Sequence, residues 1–369
     1  MKPLFLAIWL CALPALAGQI VSPEVHGDGS VTFRLPATHA TEARVYCEGV
    51  KESSMQKDTN GDWTLTTPPL KPDIYAYHFD VDGLRVTDPN NPLLKYNLLN
   101  RESLVEVPGS NGIPWQIGDV PRGTLHRHFY KSTVCSDERE YIVYTPPGYD
   151  PAAGQHYPVL YLLHGYSDDA ATWTGVGRAN VILDNLIARG EARPMIVVMP
   201  LGYGTMDIVR GGWEHVHDPE LAQRNLKKFG ESLLTELIPQ VAGNYRVKNG
   251  GRFRAIAGLS MGGSESLYVG LNHPGEFAWV GAFSTGGLNA ANFPEQFPKL
   301  NAGVNGQLRL LWISCGKEDT WLAANRQFCG WLKARDVRYT WTEPPGGHSF
   351  RVWRRNLAQF LPLLFQDNS

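Results

Sequence analysis

The stretch Ala255-Ile256-Ala257-Gly258-Leu259-Ser260-Met261-Gly262-Gly263 decides the fold of this chain. A strand is predicted before the Gly-x-Ser-x-Gly pattern and a helix directly after it, which is the arrangement of a nucleophile elbow. Glycine is required beside the serine because larger side chains would collide across so tight a turn. The helix N-terminus behind the turn favours developing negative charge. The pattern therefore predicts that Ser260 is a nucleophile.

Working outward from this motif, the chain alternates between strands and helices from about residue 124 to residue 369. Two continuous apolar runs, Pro158 to Leu163 and Met195 to Met199, are typical of strands that are buried on both faces. The alternation predicts a mostly parallel sheet covered by helices, and together with the elbow motif it predicts an α/β-hydrolase fold. The other predicted strands are Glu140 to Tyr144, Phe253 to Ala257, Leu308 to Ile313 and Val337 to Thr342. The predicted helices are Phe229 to Val241, Gly262 to Leu271, Ala323 to Lys333 and Trp353 to Leu364.

A serine hydroxyl needs a base that takes its proton, and in this fold the chain order is serine, acid, histidine. The expected base is His348, which lies in a glycine-rich loop between the last predicted strand and the last predicted helix. The acid should follow the strand that ends at Ile313, where Glu318 and Asp319 are adjacent. Asp319 is the preferred acid and Glu318 the alternative. Asp319 would also suit the start of the next helix, where aspartate is a favourable cap.

Backbone N–H groups are expected to stabilise the oxyanion of a tetrahedral intermediate. One should be the N–H of Met261, directly after Ser260. The other should come from the loop after the strand that ends at Leu163, where the N–H of Tyr166 is the candidate. Side chains that could line a substrate cleft are Trp173, Trp213 and Trp321. Packing in the core is the alternative for Trp173 and Trp213.

The N-terminus has the features of a signal peptide over residues 1–17. Lys2 provides the positive charge, Leu4 to Leu13 is a short apolar run, and Ala15-Leu16-Ala17 is a small-x-small cleavage site. The apolar run is too short to remain as a membrane anchor. We therefore expect a secreted or periplasmic protein. The formal net charge of −2 gives no field that would attract nucleic acid.

Four cysteines remain once Cys11 is removed with the signal peptide: Cys47, Cys135, Cys315 and Cys329. An exported protein could oxidise them, and Cys315 with Cys329 is the preferred pair because a strand end and the following helix would carry them. Four free thiols are the alternative. The sequence contains neither Cys-x-x-Cys nor His-Glu-x-x-His, so no metal site and no cofactor are expected.

Residues 18–105 have the pattern of an all-β region. Val31 to Leu35, Ala43 to Tyr46 and Tyr75 to Val81 alternate between apolar and polar residues, and turn signals separate them. Short strands with frequent turns predict a small β-sandwich. Residues 106–123 are rich in proline and glycine without periodicity, which indicates a linker before the α/β region.

Residues 124–369 resemble carbohydrate esterase family 1, which contains feruloyl and acetyl-xylan esterases and shares ancestry with enterochelin esterases and mycolyltransferases. The resemblance is carried by Tyr144-Thr145-Pro146-Pro147-Gly148-Tyr149, the stretch from Tyr157 to Gly165, Gly258 to Gly263, and Gly346-Gly347-His348. It implies a serine esterase with Ser260, Asp319 and His348 as its catalytic triad. Residues 18–105 are similar to early-set immunoglobulin-like domains grouped with family 48 carbohydrate-binding modules, on Asn60-Gly61-Asp62-Trp63 and Tyr75-Ala76-Tyr77.

The resemblance implies hydrolysis of a feruloyl ester on arabinoxylan, with plant cell-wall polysaccharide or its feruloylated or acetylated oligosaccharides as partners. An acetyl-xylan esterase, a siderophore esterase of the enterochelin type and an acyltransferase remain alternatives, because all of them use the same triad. The alternative without enzymatic activity is a carbohydrate-binding protein with an inactive hydrolase domain. The presence of the serine, the acid and the histidine argues against it.

Overall fold

The computed structural model describes residues 20–51, 53–109 and 112–366, and these residues form three β-sheets. The predicted signal peptide, residues 1–17, lies outside the described residues. Across the three ranges, no helix has the length and apolar composition that crossing a membrane would require.

The region before residue 108 contains two sheets that pack face to face. Their strand orders are β1-β2-β6-β5 and β4-β3-β7-β10-β9, with β8 paired to β7. The two sheets share an apolar core, in which the rings of Phe33 and Tyr77 lie 4.6 Å apart. The predicted all-β region is confirmed, and its last strand ends two residues beyond residue 105. The immunoglobulin-like assignment stays a prediction. The strands are β1 (Glu24–Val25), β2 (Val31–Pro36), β3 (Ala43–Cys47), β4 (Ser53–Ser54), β5 (Gln56–Lys57), β6 (Asp62–Thr66), β7 (Asp73–Val81), β8 (Leu84–Val86), β9 (Leu94–Lys95) and β10 (Glu102–Val107).

The third sheet has eight strands in the order β11-β12-β14-β13-β15-β16-β17-β18. The first two pairings are antiparallel and all the others are parallel, as the α/β-hydrolase prediction requires. Two of these strands, the edge strand β11 and the central strand β16, were not expected from the sequence pattern. The strands are β11 (Thr124–Ser132), β12 (Asp137–Thr145), β13 (Val159–Leu163), β14 (Ile196–Pro200), β15 (Arg254–Leu259), β16 (Trp279–Phe283), β17 (Leu310–Ser314) and β18 (Thr340–Thr342).

Helices cover both faces of this sheet. The helix expected from Phe229 to Val241 begins earlier, because the Asp218 carboxylate caps it and Pro219 occupies its first turn. A short π-helix, Leu233–Leu237, interrupts it before it resumes. The α-helices are α1 (Thr172–Gly175), α2 (Ala179–Ala188), α3 (Asp207–Arg210), α4 (Pro219–Ser232), α5 (Ile238–Asn244), α6 (Met261–Asn272), α7 (Phe293–Gln296), α8 (Leu322–Lys333) and α9 (Phe350–Phe360).

The β-sandwich packs directly against the α/β region. Ile74 and Leu104 belong to the same apolar core as the helices on one face of the large sheet. At the edge of this contact the carboxylate of Asp73, in β7, lies 2.8 Å from the guanidinium of Arg354, in α9, and neither side chain is exposed. The ion pair therefore joins a strand of the sandwich to a helix of the α/β region, with both charges removed from solvent.

The four cysteines in the described residues are free thiols, so the expected Cys315–Cys329 disulfide is absent. Both side chains are buried in the core of the α/β region. Burial raises the pKa of each thiol to about 12. Such thiols hold little thiolate near neutral pH and are poorly reactive.

Candidate active site

The three residues of the predicted triad meet at one edge of the large sheet. Ser260 follows β15, Asp319 follows β17, and His348 follows β18. These strands are parallel, so their carboxyl ends lie side by side, and the loops after them converge. The topology therefore joins residues that are 88 positions apart in sequence.

Hydrogen-bond distances link the three side chains in the predicted order. Nε2 of His348 lies 2.9 Å from Oγ of Ser260. Nδ1 of the same ring lies 3.0 Å from Oδ2 and 3.2 Å from Oδ1 of Asp319. The Asp319 side chain is fully buried, whereas His348 remains partly open to the cleft. The geometry is that of a nucleophile, a base and an acid that orients the base.

The backbone at Ser260 holds its hydroxyl above the sheet. Its φ of 51° is in the left-handed region that non-glycine residues avoid, as a nucleophile elbow requires. Gly262 makes the turn possible, since a Cβ there would lie 2.4 Å from the carbonyl oxygen of His164. The first turn of α6 thus lies directly against the loop that follows β13.

The positions of the two acidic side chains favour Asp319 over Glu318 as the proposed acid. Glu318 is exposed, and its carboxylate accepts a hydrogen bond from the N–H of Gly346 rather than from the histidine ring. Burial acts to raise the pKa of Asp319, but hydrogen bonds from His348 and from the N–H of Trp321 outweigh it and hold that pKa below its ordinary value. The group that contacts His348 is therefore an ionised carboxylate at neutral pH.

The two predicted oxyanion donors flank Ser260. Met261 is the first residue of α6, so its N–H has no carbonyl acceptor within its own helix. The loop of residues 163–168, here called the oxyanion loop, passes on the other side. A Cβ on Gly165 would lie 3.4 Å from Cβ of Ser260, and Tyr166 lines the cleft. The role of both N–H groups as donors stays a prediction.

A buried histidine fixes the start of the oxyanion loop. Nε2 of His164 accepts a hydrogen bond of 2.8 Å from the N–H of Gly202, so the ring proton is on Nδ1, which lies 2.8 Å from the carbonyl oxygen of Gly165. Burial lowers the pKa of His164 to about 4. The ring is therefore neutral near pH 7, and both of its nitrogens hold backbone in place.

A cleft of about 1050 Å³ opens above Ser260 and His348. Trp213 and Trp321, two of the three predicted tryptophans, line it. Trp213 is 53% exposed, and its ring lies 5.2 Å from that of Tyr166. Three further aromatic side chains, Tyr268, Phe297 and Trp353, also line the cleft.

The prediction for Trp173 is wrong. This side chain is only 1% exposed and packs against Phe283 and Phe350 in the core. Its Nε1–H donates a hydrogen bond of 2.8 Å to the carbonyl oxygen of Leu163, at the start of the oxyanion loop. Trp173 supports the loop from beneath and has no surface for substrate.

A second wall of the cleft comes from the β-sandwich, and no motif of residues 18–105 pointed to the side chains that form it. Arg85, Lys95, Asn97, Asn100 and Glu102 all line the cleft, although they precede Ser260 by more than 150 residues. These residues belong to no motif, and only the docking of the two regions brings them to the site.

Comparison with known proteins identifies esterases that are similar to this chain. A family model described as "Putative esterase" matches residues 132–364. The chain is 30% identical over 352 residues to an endo-1,4-beta-xylanase/feruloyl esterase of Xylanibacter ruminicola. That match covers 93% of this chain and 46% of the relative, so the chain spans about half of the relative's length.

Solved structures show the same fold. The enterochelin esterase of Shigella flexneri has a TM-score of 0.68 at 20% identity, over 93% of this chain and 95% of that one. A CE1 ferulic acid esterase of Anaeromyces mucronatus has a TM-score of 0.58 at 24% identity, over 68% of this chain and 93% of that one. The matches in sequence and in fold agree. The chain belongs to the esterase family whose model matches residues 132–364, and its α/β region is a carboxylic ester hydrolase of the α/β-hydrolase fold.

Proposed function

We propose that this esterase is a feruloyl esterase, which releases ferulate from arabinoxylan through an acyl-enzyme on Ser260. The observation that carries the proposal is the position of His348, whose ring lies within hydrogen-bond distance of Ser260 on one side and Asp319 on the other. Ser260 and His348 face a cleft that is lined by aromatic side chains.

In the first half of the reaction, Oγ of Ser260 attacks the ester carbonyl carbon while Nε2 of His348 takes the hydroxyl proton. Asp319 stabilises the imidazolium that forms, since its buried carboxylate faces Nδ1. The carbonyl oxygen becomes an oxyanion, and the N–H groups of Met261 and Tyr166 donate to it. The bond between the carbonyl carbon and the sugar oxygen then breaks, and His348 returns the proton to the sugar hydroxyl.

In the second half, water attacks the acyl-enzyme. His348 takes a proton from the water as its oxygen bonds to the carbonyl carbon. Collapse of the second tetrahedral intermediate breaks the bond to Oγ of Ser260, and the proton on His348 restores the serine hydroxyl. The products are ferulate and the free enzyme.

The size and lining of the cleft support an aromatic acyl group over an acetyl group. A volume of about 1050 Å³ lies at the upper end of small-molecule sites. Trp213 and Trp321 offer flat aromatic faces on which a feruloyl ring could stack. An acetyl group would leave most of this surface uncovered.

A catecholate siderophore ester is the second candidate. The enterochelin esterase of Shigella flexneri matches 93% of this chain, whereas the ferulic acid esterase matches 68%. The larger match takes in the β-sandwich, which forms one wall of the cleft. Both candidate substrates have an aromatic acyl group, so the cleft itself accepts either.

The site of action follows from the proposed substrate. Plant cell-wall polysaccharide is too large to enter a cell, so we propose that the enzyme acts outside the cytoplasm, after export directed by residues 1–17. The family relative from Xylanibacter ruminicola, a xylanase/feruloyl esterase, supports this assignment of substrate.

The experiment that tests the proposal compares the native enzyme with S260A on methyl ferulate, acetylated xylan and a catecholate siderophore ester. The native enzyme should act best on methyl ferulate, and S260A should lose about a millionfold in kcat because the triad acts as a unit. S266A is a matched control on the same helix, since the buried hydroxyl of Ser266 donates its hydrogen bond to the carbonyl oxygen of Gly262. Near-normal turnover by S260A would overturn the mechanism, and a preference for either other substrate would overturn the feruloyl assignment.

A further inference from the structure

A short segment of the β-sandwich, residues 95–98, reaches the oxyanion loop. The Nδ2 amide of Asn97 donates hydrogen bonds to Oγ of Ser167, at 2.9 Å, and to Oδ1 of Asp168, at 3.0 Å. The N–H of Leu98 donates a 2.7 Å hydrogen bond to the carbonyl oxygen of Ser167. Three hydrogen bonds thus join two segments that are about 70 residues apart.

The orientation of the Asn97 side chain is fixed from its own segment. Its Oδ1 accepts hydrogen bonds from the N–H groups of Leu99, at 3.0 Å, and Asn100, at 2.8 Å. The amide nitrogen must therefore face the oxyanion loop. Asparagine meets both demands because it carries an acceptor and two donors, whereas aspartate would offer no donor once ionised.

The contact falls where the oxyanion loop needs support. Ser167 has a φ of 65°, in the left-handed region that non-glycine residues avoid, and its side chain is buried. Such a conformation persists only where its surroundings impose it. Ser167 directly follows Tyr166, whose N–H is the proposed oxyanion donor. The strained residue therefore lies next to the residue that carries this donor.

The sandwich is held firmly enough to impose this geometry. The buried pair of Asp73 and Arg354 and the shared apolar core join it to α9, the helix that begins just after His348. Lys95, two residues before Asn97, also contacts α9, since its Nζ lies 5.8 Å from the ring centre of Phe350. Burial raises the pKa of Asp168 to about 6, with Lys95 acting against that rise.

We infer that Asn97 is a positioning residue of the active site, through which the β-sandwich fixes the oxyanion loop and aims the N–H of Tyr166. This inference rests on the proposed acyl-enzyme mechanism at Ser260. It gives the sandwich a role in the chemical step itself, which applies to every ester the enzyme cleaves and does not depend on contact with polysaccharide.

The test is made on the full chain with N97A and N97D, using p-nitrophenyl acetate and methyl ferulate. A displaced oxyanion donor should lower kcat by roughly 10- to 100-fold on both esters, since misplacement by about 1 Å can cost a factor of 100. KM should change by less than about threefold, because the Asn97 amide, although it lines the cleft, uses its donors on Ser167 and Asp168 and its acceptor on its own segment, not on substrate. N97D keeps the acceptor for Leu99 and Asn100 and should be at least as impaired as N97A.

N90A is the matched control, since Asn90 is an exposed asparagine of the same sandwich in a turn before β9. It should keep native kcat and KM. Equal thermal midpoints for N90A, N97D and the native enzyme would show that a lower kcat of N97D does not come from unfolding. A kcat within twofold of native for N97D, or a loss confined to a higher KM for methyl ferulate, would overturn the inference. Activity retained by S260A would instead overturn the mechanism on which the inference rests.

Discussion

The proposed triad and the oxyanion loop meet at Ser260 but are held in different ways. Hydrogen bonds link the three triad side chains to one another, and each of these residues follows its own parallel strand. The oxyanion loop is held by groups from elsewhere: Trp173 beneath it, Gly202 beside it, and Asn97 from the β-sandwich. The proposed reacting groups are thus marked by local motifs, whereas the groups that hold the oxyanion loop come from distant parts of the chain.

The largest expected effect in this comparison concerns the triad acid. D319N keeps the shape of the side chain but removes the charge that stabilises the imidazolium and fixes the ring tautomer. We expect kcat for methyl ferulate to fall by about 10,000-fold, the scale of loss when an amide replaces a triad acid. Steady-state kinetics with active-site titration would measure it.

E318Q is the matched control for this substitution. The adjacent carboxylate accepts only the N–H of Gly346, and an amide oxygen can still accept that bond. The hydrogen bond is kept and only its charge is lost, so kcat should fall by less than about tenfold. Equal losses for D319N and E318Q would contradict the assignment of Asp319 and reopen the choice between the two acids.

The second effect concerns the docking of the sandwich, on which the oxyanion loop depends. D73A removes the carboxylate that faces Arg354, and the guanidinium is left buried with its charge unpaired. Breaking a buried pair by removing one partner costs about 3–5 kcal/mol of unfolding free energy. Urea denaturation followed by tryptophan fluorescence would measure the change.

E24A provides the comparison within the same sandwich. Glu24 pairs with Arg34 at 2.6 Å, but both side chains are partly exposed, so solvent screens the attraction. Its denaturation midpoint should stay close to that of the native protein. If D73A were as stable as E24A, the buried pair could not be what anchors the two regions, and the frame around the oxyanion loop would need another anchor.

Much of the α/β region could be predicted from the sequence because its signals are local. The elbow motif marks its own strand and helix, and the observed β15 and α6 begin and end within two residues of the expected bounds. By contrast, β16 is a short apolar run that periodicity alone cannot separate from a buried helix. The edge strand β11 carries mostly polar residues, since solvent covers one side of it.

The candidate site likewise contains residues that were predicted from local motifs and residues that were not. Ser260, Asp319 and His348 were predicted from motif and chain order, and the structure brings them within hydrogen-bond distance. Trp173 was mistaken for a cleft residue because a tryptophan near a catalytic loop has the same sequence pattern whether it points inward or outward. Asn97 carried no signal at all, since its partners are about 70 residues away and the contact exists only after the two regions dock.

The smallest expected effect compares two supports of the oxyanion loop, one from the α/β region and one from the sandwich. The buried hydroxyl of Tyr203 donates a 2.9 Å hydrogen bond to the carbonyl oxygen of Asp168, one residue further from Tyr166 than the Asn97 contact at Ser167. Y203F removes one neutral hydrogen bond, worth about 1 kcal/mol. We expect kcat for p-nitrophenyl acetate to fall by roughly fivefold, less than in N97A.

The double variant N97A/Y203F completes the measurement. Both residues hold the same loop, so once one support is lost the loop can relax and the second substitution should cost less than it does alone. A combined loss equal to the product of the two single losses would mean that the supports act independently. If Y203F alone lowered kcat as much as N97A, the oxyanion loop would not depend especially on the sandwich, and the contrast with the self-contained triad would disappear.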